Sequence, residues 1–170
     1  MGIFKLIFCI FVVSVCVILI FNIVRDELKK EKTKISFKES LDLVELPVIT
    51  FMNNDKKLNL LIDSGSDISY LCNKVVSELN LISEEEIGLN IMTGIKSMNS
   101  ICNEVKLNLS FKDNNFVEKF IILPELDHQF DDIKKENGVK IDGILGNSFL
   151  SKYKYIIDYK DLSVYMKWYI

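Results

Sequence analysis

From Leu6 to Val24 the chain carries no charged residue: Leu-Ile-Phe-Cys-Ile-Phe-Val-Val-Ser-Val-Cys-Val-Ile-Leu-Ile-Phe-Asn-Ile-Val. A helix of roughly 20 apolar residues spans the hydrocarbon core of a bilayer. A core helix in so small a protein is apolar along one stripe, not all round. A cleaved signal peptide has a shorter apolar stretch and a small-residue cleavage site. Here the run ends in Asn22-Ile23-Val24-Arg25 with nothing of that kind. Val15 before Cys16 is bulky for a lipoprotein cleavage site, and Leu6 stands where a myristoylation signal has Ser or Thr. The expectation is a short N-terminal tail over 1–5 and an uncleaved, single-pass transmembrane helix over 6–24. Lys5 alone precedes the span, whereas Arg25, Lys29, Lys30, Lys32 and Lys34 follow it. The positive-inside rule therefore puts the rest of the chain in the cytoplasm.

Residues 25–45 begin with a run of charges and read as a juxtamembrane linker. From Leu46 onward short apolar segments alternate with polar turns. Pro47 to Phe51 and Leu58 to Ile62 flank the turn signal Asn53-Asn54-Asp55. A short strand over Ser69 to Leu71 and a short helix near Lys74 to Leu79 come next. Ile87 to Ile101 reads as a hairpin around Gly94. Val105, Leu107, Leu109 and Phe111 alternate with polar residues, the period of a half-buried strand. The chain turns at Lys112 to Asn115 and runs back from Phe116 to Leu123. Glu125 to Lys140 is polar and reads as a long surface loop. A short helix over Asn147 to Lys152 and a hairpin around Tyr159-Lys160-Asp161 close the chain. Many short strands with few helices indicate an all-β domain over 46–170, a small barrel or sandwich.

Charges of both signs are interspersed, so no basic block suggests nucleic acid. Cys9 and Cys16 lie in the apolar run, and Cys72 and Cys102 in the soluble part. Two cysteines make no disulfide framework, and no Cys/His cluster has metal spacing. Neither a metal nor another cofactor is expected. His128 reads as a surface histidine, and Cys72 as a small core residue.

The segment that carries chemistry is Leu60-Leu61-Ile62-Asp63-Ser64-Gly65-Ser66. It sets an acid at the end of an apolar strand, in a tight turn. Such a carboxylate is partly buried and needs hydrogen-bond partners. Ser64 and Ser66 offer hydroxyls, and Gly65 admits close backbone approach. An isolated Asp-Ser-Gly is ordinary turn sequence. The context is a second element further along, Gly143-Ile144-Leu145-Gly146, leading into Asn147-Ser148-Phe149-Leu150 and later Ile157-Asp158-Tyr159.

In this order and spacing, from about Leu46 to Met166, the chain resembles the retropepsin-like aspartic proteases, cellular and bacterial as well as viral. The resemblance implies an acid-protease barrel with one or two short helices. It implies that Asp63 is catalytic, that Ser64, Gly65 and Ser66 shape the catalytic loop, and that Ile144, Leu145 and Gly146 support it. It implies a flap at Thr93, Gly94 and Ile95. The mechanism needs two carboxylates sharing a proton, with no metal and no covalent intermediate. This sequence has one Asp-Ser-Gly, and Asp142-Gly143-Ile144 lacks the hydroxyl residue and falls in the supporting element. The soluble part is too short for two lobes. A homodimer with a protein or peptide substrate on its two-fold axis is therefore implied. The tail from Lys167 to Ile170 reads either as an interface strand or as a frayed apolar end. A competing reading is a peptide- or partner-binding module with the same fold and no cleavage; another is a structural, membrane-tethered β domain.

Overall fold

The computed structural model describes the backbone of residues 2–82, 85–93 and 96–167, and the side chains of 2–82 and 102–167. A single helix, α1, runs from Gly2 to Thr33. None of the residues in its apolar stretch is buried, and Phe4, Phe11 and Phe21 are all exposed. By length and composition α1 is able to cross a membrane.

The segment read as a juxtamembrane linker, with room for a short helix, is structured throughout. α1 continues through the charged residues to Thr33 without a break. It is followed by β1 (Ile35–Ser36) and α2 (Lys38–Val44). Ile35 and Phe37 are buried in the main core. β1 pairs antiparallel with β10 (Ser163–Met166), with Ile35 opposite Val164. β10 in turn pairs with β9 (Tyr155–Asp158), completing a three-stranded sheet. The two residues that bury here, Ile35 and Phe37, stand in an otherwise polar stretch.

The second sheet is a closed barrel. Its strands are β2 (Val48–Asn53), β3 (Lys56–Ile62), β8 (Gly143–Leu145), β4 (Ser69–Leu71), β7 (Asn114–Ile122) and β6 (Lys96–Phe111). They neighbour one another in that order, and Met52 of β2 opposite Ser110 of β6 closes the ring. β5 (Glu85–Thr93) pairs with β6 alone, from Glu85 opposite Glu104 to Thr93 opposite Lys96. The expected hairpin is therefore present. Of the flap positions, Thr93 ends β5, while Gly94 and Ile95 lie outside the described residues.

Alternation drives the barrel: Leu58, Leu60 and Ile62 of β3 point inward, as do Val105, Leu107 and Leu109 of β6. Phe51, Phe116 and Phe149 pack edge-on or tilted at the centre, with ring centroids 5.5 to 5.7 Å apart. α3 (Asn73–Leu79) and α5 (Asn147–Lys152) are the expected short helices.

The stretch read as a surface loop is instead a helix, α4 (Glu125–Asn137). Leu126, Phe130 and Ile133 form its inner stripe at helical spacing. Glu125 and Asp127 sit in the first turn, Lys134 and Lys135 in the last, and Gly138 closes it in the left-handed region at φ 75°. These start and stop signals are in the sequence. High polarity outweighed them because a helix lying on the surface needs only one narrow apolar stripe.

Candidate active site

The chain enters the site from β3 and leaves through β4, and β8 runs between the two. β8 is parallel to β3, with Leu61 opposite Ile144 and Ile62 opposite Leu145. It is antiparallel to β4, with Tyr70 opposite Ile144 and Leu71 opposite Gly143. Such an insertion leaves little room. A Cβ on Gly143 would lie 2.4 Å from the Tyr70 carbonyl oxygen, and one on Gly146 2.2 Å from that of Ile68. Only glycine fits either place.

Asp63 follows the last residue of β3. Its N–H donates to the Leu145 carbonyl at 3.0 Å, and its carbonyl accepts the Ser66 N–H at 3.2 Å. One carboxylate oxygen, Oδ1, accepts the Gly65 N–H at 2.9 Å. The turn is thus closed by its own acid, the usual behaviour of an Asx turn. The side chain is half-buried, and Ser64 and Gly65 beyond it are exposed. Among the described residues the Ser64 hydroxyl has no partner within the subunit. A Cβ on Gly65 would come 3.2 Å from Asp63 Oδ1, tight enough to push the carboxylate.

The return of the loop is tied to the start of α5. Ser66 Oγ donates to the Ile68 carbonyl at 2.9 Å. The N–H groups of Asn147 and Ser148 donate to the carbonyls of Ser66 and Asp67 at 2.6 and 3.0 Å. Unpaired amides at a helix start satisfy the carbonyls of the loop. Tyr70 stands beside this loop. Burial of its ring raises the phenol above its ordinary range, Cys102 and Asp67 add to the rise, and a hydrogen bond to Ser66 opposes it.

Sequence reasoning brought Asp63, Ser64, Gly65, Ser66, Ile144, Leu145 and Gly146 together, and they do lie in one place. It missed the polar group beneath them. Glu118, on β7, is almost wholly buried. Its Oε1 accepts both the Ser69 hydroxyl at 2.9 Å and the Ser148 hydroxyl at 2.8 Å. Ser69 Oγ in turn accepts the Gly146 N–H at 3.1 Å. Lys152 Nζ approaches the other carboxylate oxygen at 3.8 Å. Glu118 sits where the strand alternation of β7 points inward, and that is the one sequence signal that singles it out.

Asp142 has a different environment from Asp63. It is buried, its Oδ2 accepts the Asn59 N–H at 2.8 Å, and Lys140 pairs with it at 2.9 Å. It braces the middle of β3 and is not presented beside Asp63. Among the described residues no cluster of three His, Cys, Asp or Glu side chains has the arrangement of a metal site.

A six-stranded barrel with a central inserted strand and one Asp-Ser-Gly turn at its open end defines an acid-protease lobe. Residues 31–168 match the family model described as retroviral aspartyl protease. The chain belongs to that family. No curated protein matches it. Among solved structures it is similar to a retropepsin-like aspartic protease from Rickettsia conorii, with 18% identity over 78% of this chain and 87% of that one, at a TM-score of 0.48. It is also similar to EIAV protease complexed with an inhibitor, with 18% identity over 65% of this chain and 90% of that one, at a TM-score of 0.44. The retroviral protease-like domain of Ddi1 from Leishmania major gives 12% identity over 71% and 87%, at a TM-score of 0.45.

Proposed function

We propose that the chain is a membrane-anchored aspartic endopeptidase working as a homodimer, each subunit supplying Asp63. The observation that carries this reading is the half-exposed Asp63 carboxylate, held in its turn by one backbone amide and left open on its other oxygen. One barrel offers one such turn, because the sequence has a single Asp-Ser-Gly. A second subunit related by a two-fold axis brings a second, identical carboxylate to the first.

Two carboxylates in contact do not both ionise, so the pair holds one proton. The ionised member takes a proton from a water, which attacks the peptide carbonyl carbon. The protonated member donates to the carbonyl oxygen, giving a tetrahedral diol; the member that took the water's proton then passes it to the amide nitrogen as the C–N bond breaks, and a diol hydroxyl returns a proton to the other carboxylate. The titration belongs to the pair. Ser64, exposed and without a partner in its own subunit, is placed in this reading across the two-fold axis. Ser66, Ile144, Leu145 and Gly146 hold the loop, and the β5–β6 hairpin covers an extended peptide. The α1 span confines subunits to one membrane and raises their effective concentration. The excess of Lys and Arg after the span assigns the domain to the cytoplasmic side.

The test is cleavage of a peptide library by the full chain in nanodiscs or detergent, beside Asp63→Asn, at several protein concentrations. The expected result is cleavage by the wild type, a fall of roughly a thousandfold or more in the variant, and specific activity that rises with concentration. A folded dimer that binds peptides without cleaving them supports the binding-module reading instead.

A further inference from the structure

Two adjacent residues of β7 hold α5 at both of its ends. At its start, Ser148 Oγ donates to Glu118 Oε1 at 2.8 Å. At its end, Lys152 Nζ donates to the Val117 carbonyl at 2.5 Å and stands 3.8 Å from Glu118 Oε2. Just beyond the helix, the Tyr153 hydroxyl accepts the Val117 N–H at 2.7 Å and donates to the Val117 carbonyl at 2.8 Å. Gly146, the residue before the helix, is fixed as well. Its N–H donates to Ser69 Oγ at 3.1 Å, and Ser69 donates in turn to Glu118 at 2.9 Å.

The direction of this chain of bonds follows from the acid. An ionised carboxylate accepts hydrogen bonds and donates none. Ser69 therefore turns its one proton to Glu118, which leaves its lone pairs to the Gly146 N–H. Glu118 is 3% exposed and Ser69 is fully buried, so water replaces neither partner. The strand itself has no need of a charge at this place. Glu118 stands opposite Leu107 and in phase with Phe116 and Phe120, all three buried. A buried charge is costly unless it is hydrogen-bonded. What the carboxylate does here is orient the two hydroxyls.

The restraint passes from α5 to the Asp63 turn. The Asn147 and Ser148 N–H groups hold the carbonyls of Ser66 and Asp67, and the Ser66 N–H donates to the Asp63 carbonyl at 3.2 Å. On the other side, Leu145, the residue before Gly146, accepts the Asp63 N–H at 3.0 Å. Glu118 thus acts on Asp63 through its neighbours on both sides. From this geometry we infer that Glu118 is a positioning residue, setting the place and orientation of the Asp63 carboxylate through Ser69 and Ser148. The inference rests on the peptidase reading. Misplacing a reacting group by about 1 Å costs up to about a hundredfold in rate. The effect therefore falls on kcat, whereas peptide affinity comes from the cleft walls and the hairpin.

The experiment measures kcat and KM for a peptide that the full chain cleaves in detergent. Protein is kept at a concentration where specific activity no longer rises, and at a temperature where circular dichroism shows each variant folded. The variants are Glu118→Ala, Glu118→Gln and Ser148→Ala. Asn53→Ala serves as the control. It opens another buried hydrogen bond, from Asn53 Nδ2 to the Asn108 carbonyl at 2.8 Å. Asn53 pairs with Lys56 at the start of β3, whereas Asp63 follows its far end. The expected result for Glu118→Ala is a fall of about tenfold in kcat with KM within about twofold of wild type. Glu118→Gln keeps an acceptor oxygen and should stay within about threefold of wild type, as should Ser148→Ala, which loses one bond of the set. Asn53→Ala should leave kcat unchanged. The positioning role is overturned by an unchanged kcat in Glu118→Ala, by a loss in Glu118→Gln as deep as in Glu118→Ala, or by an equal loss in Asn53→Ala. Should Glu118→Ala not fold, a wild-type kcat in Ser148→Ala overturns it. A wild type that cleaves no peptide removes the peptidase reading itself, and this inference with it.

Discussion

The Ser69 hydroxyl donates to the buried Glu118 carboxylate at 2.9 Å while accepting the Gly146 N–H at 3.1 Å. The two residues link β7, the neighbour of β4 in the barrel, to the element under the Asp63 turn. Because Ser148 shares the same carboxylate oxygen, Glu118 sets where α5 begins. The start of α5 in turn holds the carbonyls of Ser66 and Asp67.

Replacing Glu118 tests this link. Glu118→Ala leaves the buried Ser69 hydroxyl without its acceptor, while the exposed Ser148 hydroxyl turns to water, and costs about 2 kcal/mol. Glu118→Gln keeps a carbonyl oxygen in place and costs about 1 kcal/mol. Urea denaturation of the two variants beside the wild type measures both. Equal costs for the two would show that the acceptor oxygen is not what matters.

The glycines separate folding from chemistry. Gly146→Ala drives a Cβ into the Ile68 backbone and is expected to destabilise by about 3 kcal/mol. Gly65→Ala meets only the Asp63 side chain, on an exposed turn. Its stability should stay within about 0.5 kcal/mol of wild type. In the proposed peptidase its kcat should fall at least about tenfold, since the carboxylate is displaced. Thermal melts together with peptide cleavage distinguish the two sites.

Cys72 gives the fold a pH signature. Burial, with Asp127 and Asp142 nearby, pushes its thiol up to about 12, from 9.0. The folded state therefore binds the proton more tightly than the unfolded chain does. Stability from this group is complete below about pH 9 and declines as pH rises towards 12. Cys72→Ala should flatten that decline relative to wild type in denaturation curves at pH 8, 9 and 10. At neutral pH the native thiol should resist alkylation until the domain unfolds.

The end of α1 is bound to the barrel, with Thr33 Oγ1 accepting the Met166 N–H at 3.0 Å, and this predicts that α1 stays attached. The proposed cleft takes extended peptide, whereas Arg25 to Thr33 is helix and Ile35 and Phe37 are buried in the core. Limited trypsin digestion should spare Arg25, Lys29, Lys30 and Lys32 in the native chain. Thr33→Ala, which removes the acceptor for the Met166 N–H, should cost about 1 kcal/mol and speed cutting at these sites. Rapid native cleavage there, with the domain still folded, would contradict this attachment.

Local chemistry was enough to read the apolar span, the alternating strands, the Asp63 turn, and the second glycine element around Ile144-Leu145-Gly146. Each is written in consecutive residues, as a period, a breaker or a charge-free run. α4 was legible too, in Leu126, Phe130, Ile133 and Gly138, but the period was weighed below the polarity. Other features had no local signature. Ile35 and Phe37 become core only because β10, more than a hundred residues later, pairs with β1. Glu118 lies in phase with Phe116 and Phe120 on β7, but nothing in its neighbours along the chain announces the two hydroxyls that β4 and α5 bring to it. The sequence by itself determined where backbone is apolar, where it turns and which acid stands at a strand end, because those depend on neighbours within a few bonds. Only the folded arrangement settles which polar groups come together and how α1 meets the barrel, because burial and pairing depend on distances between segments that the chain order does not specify.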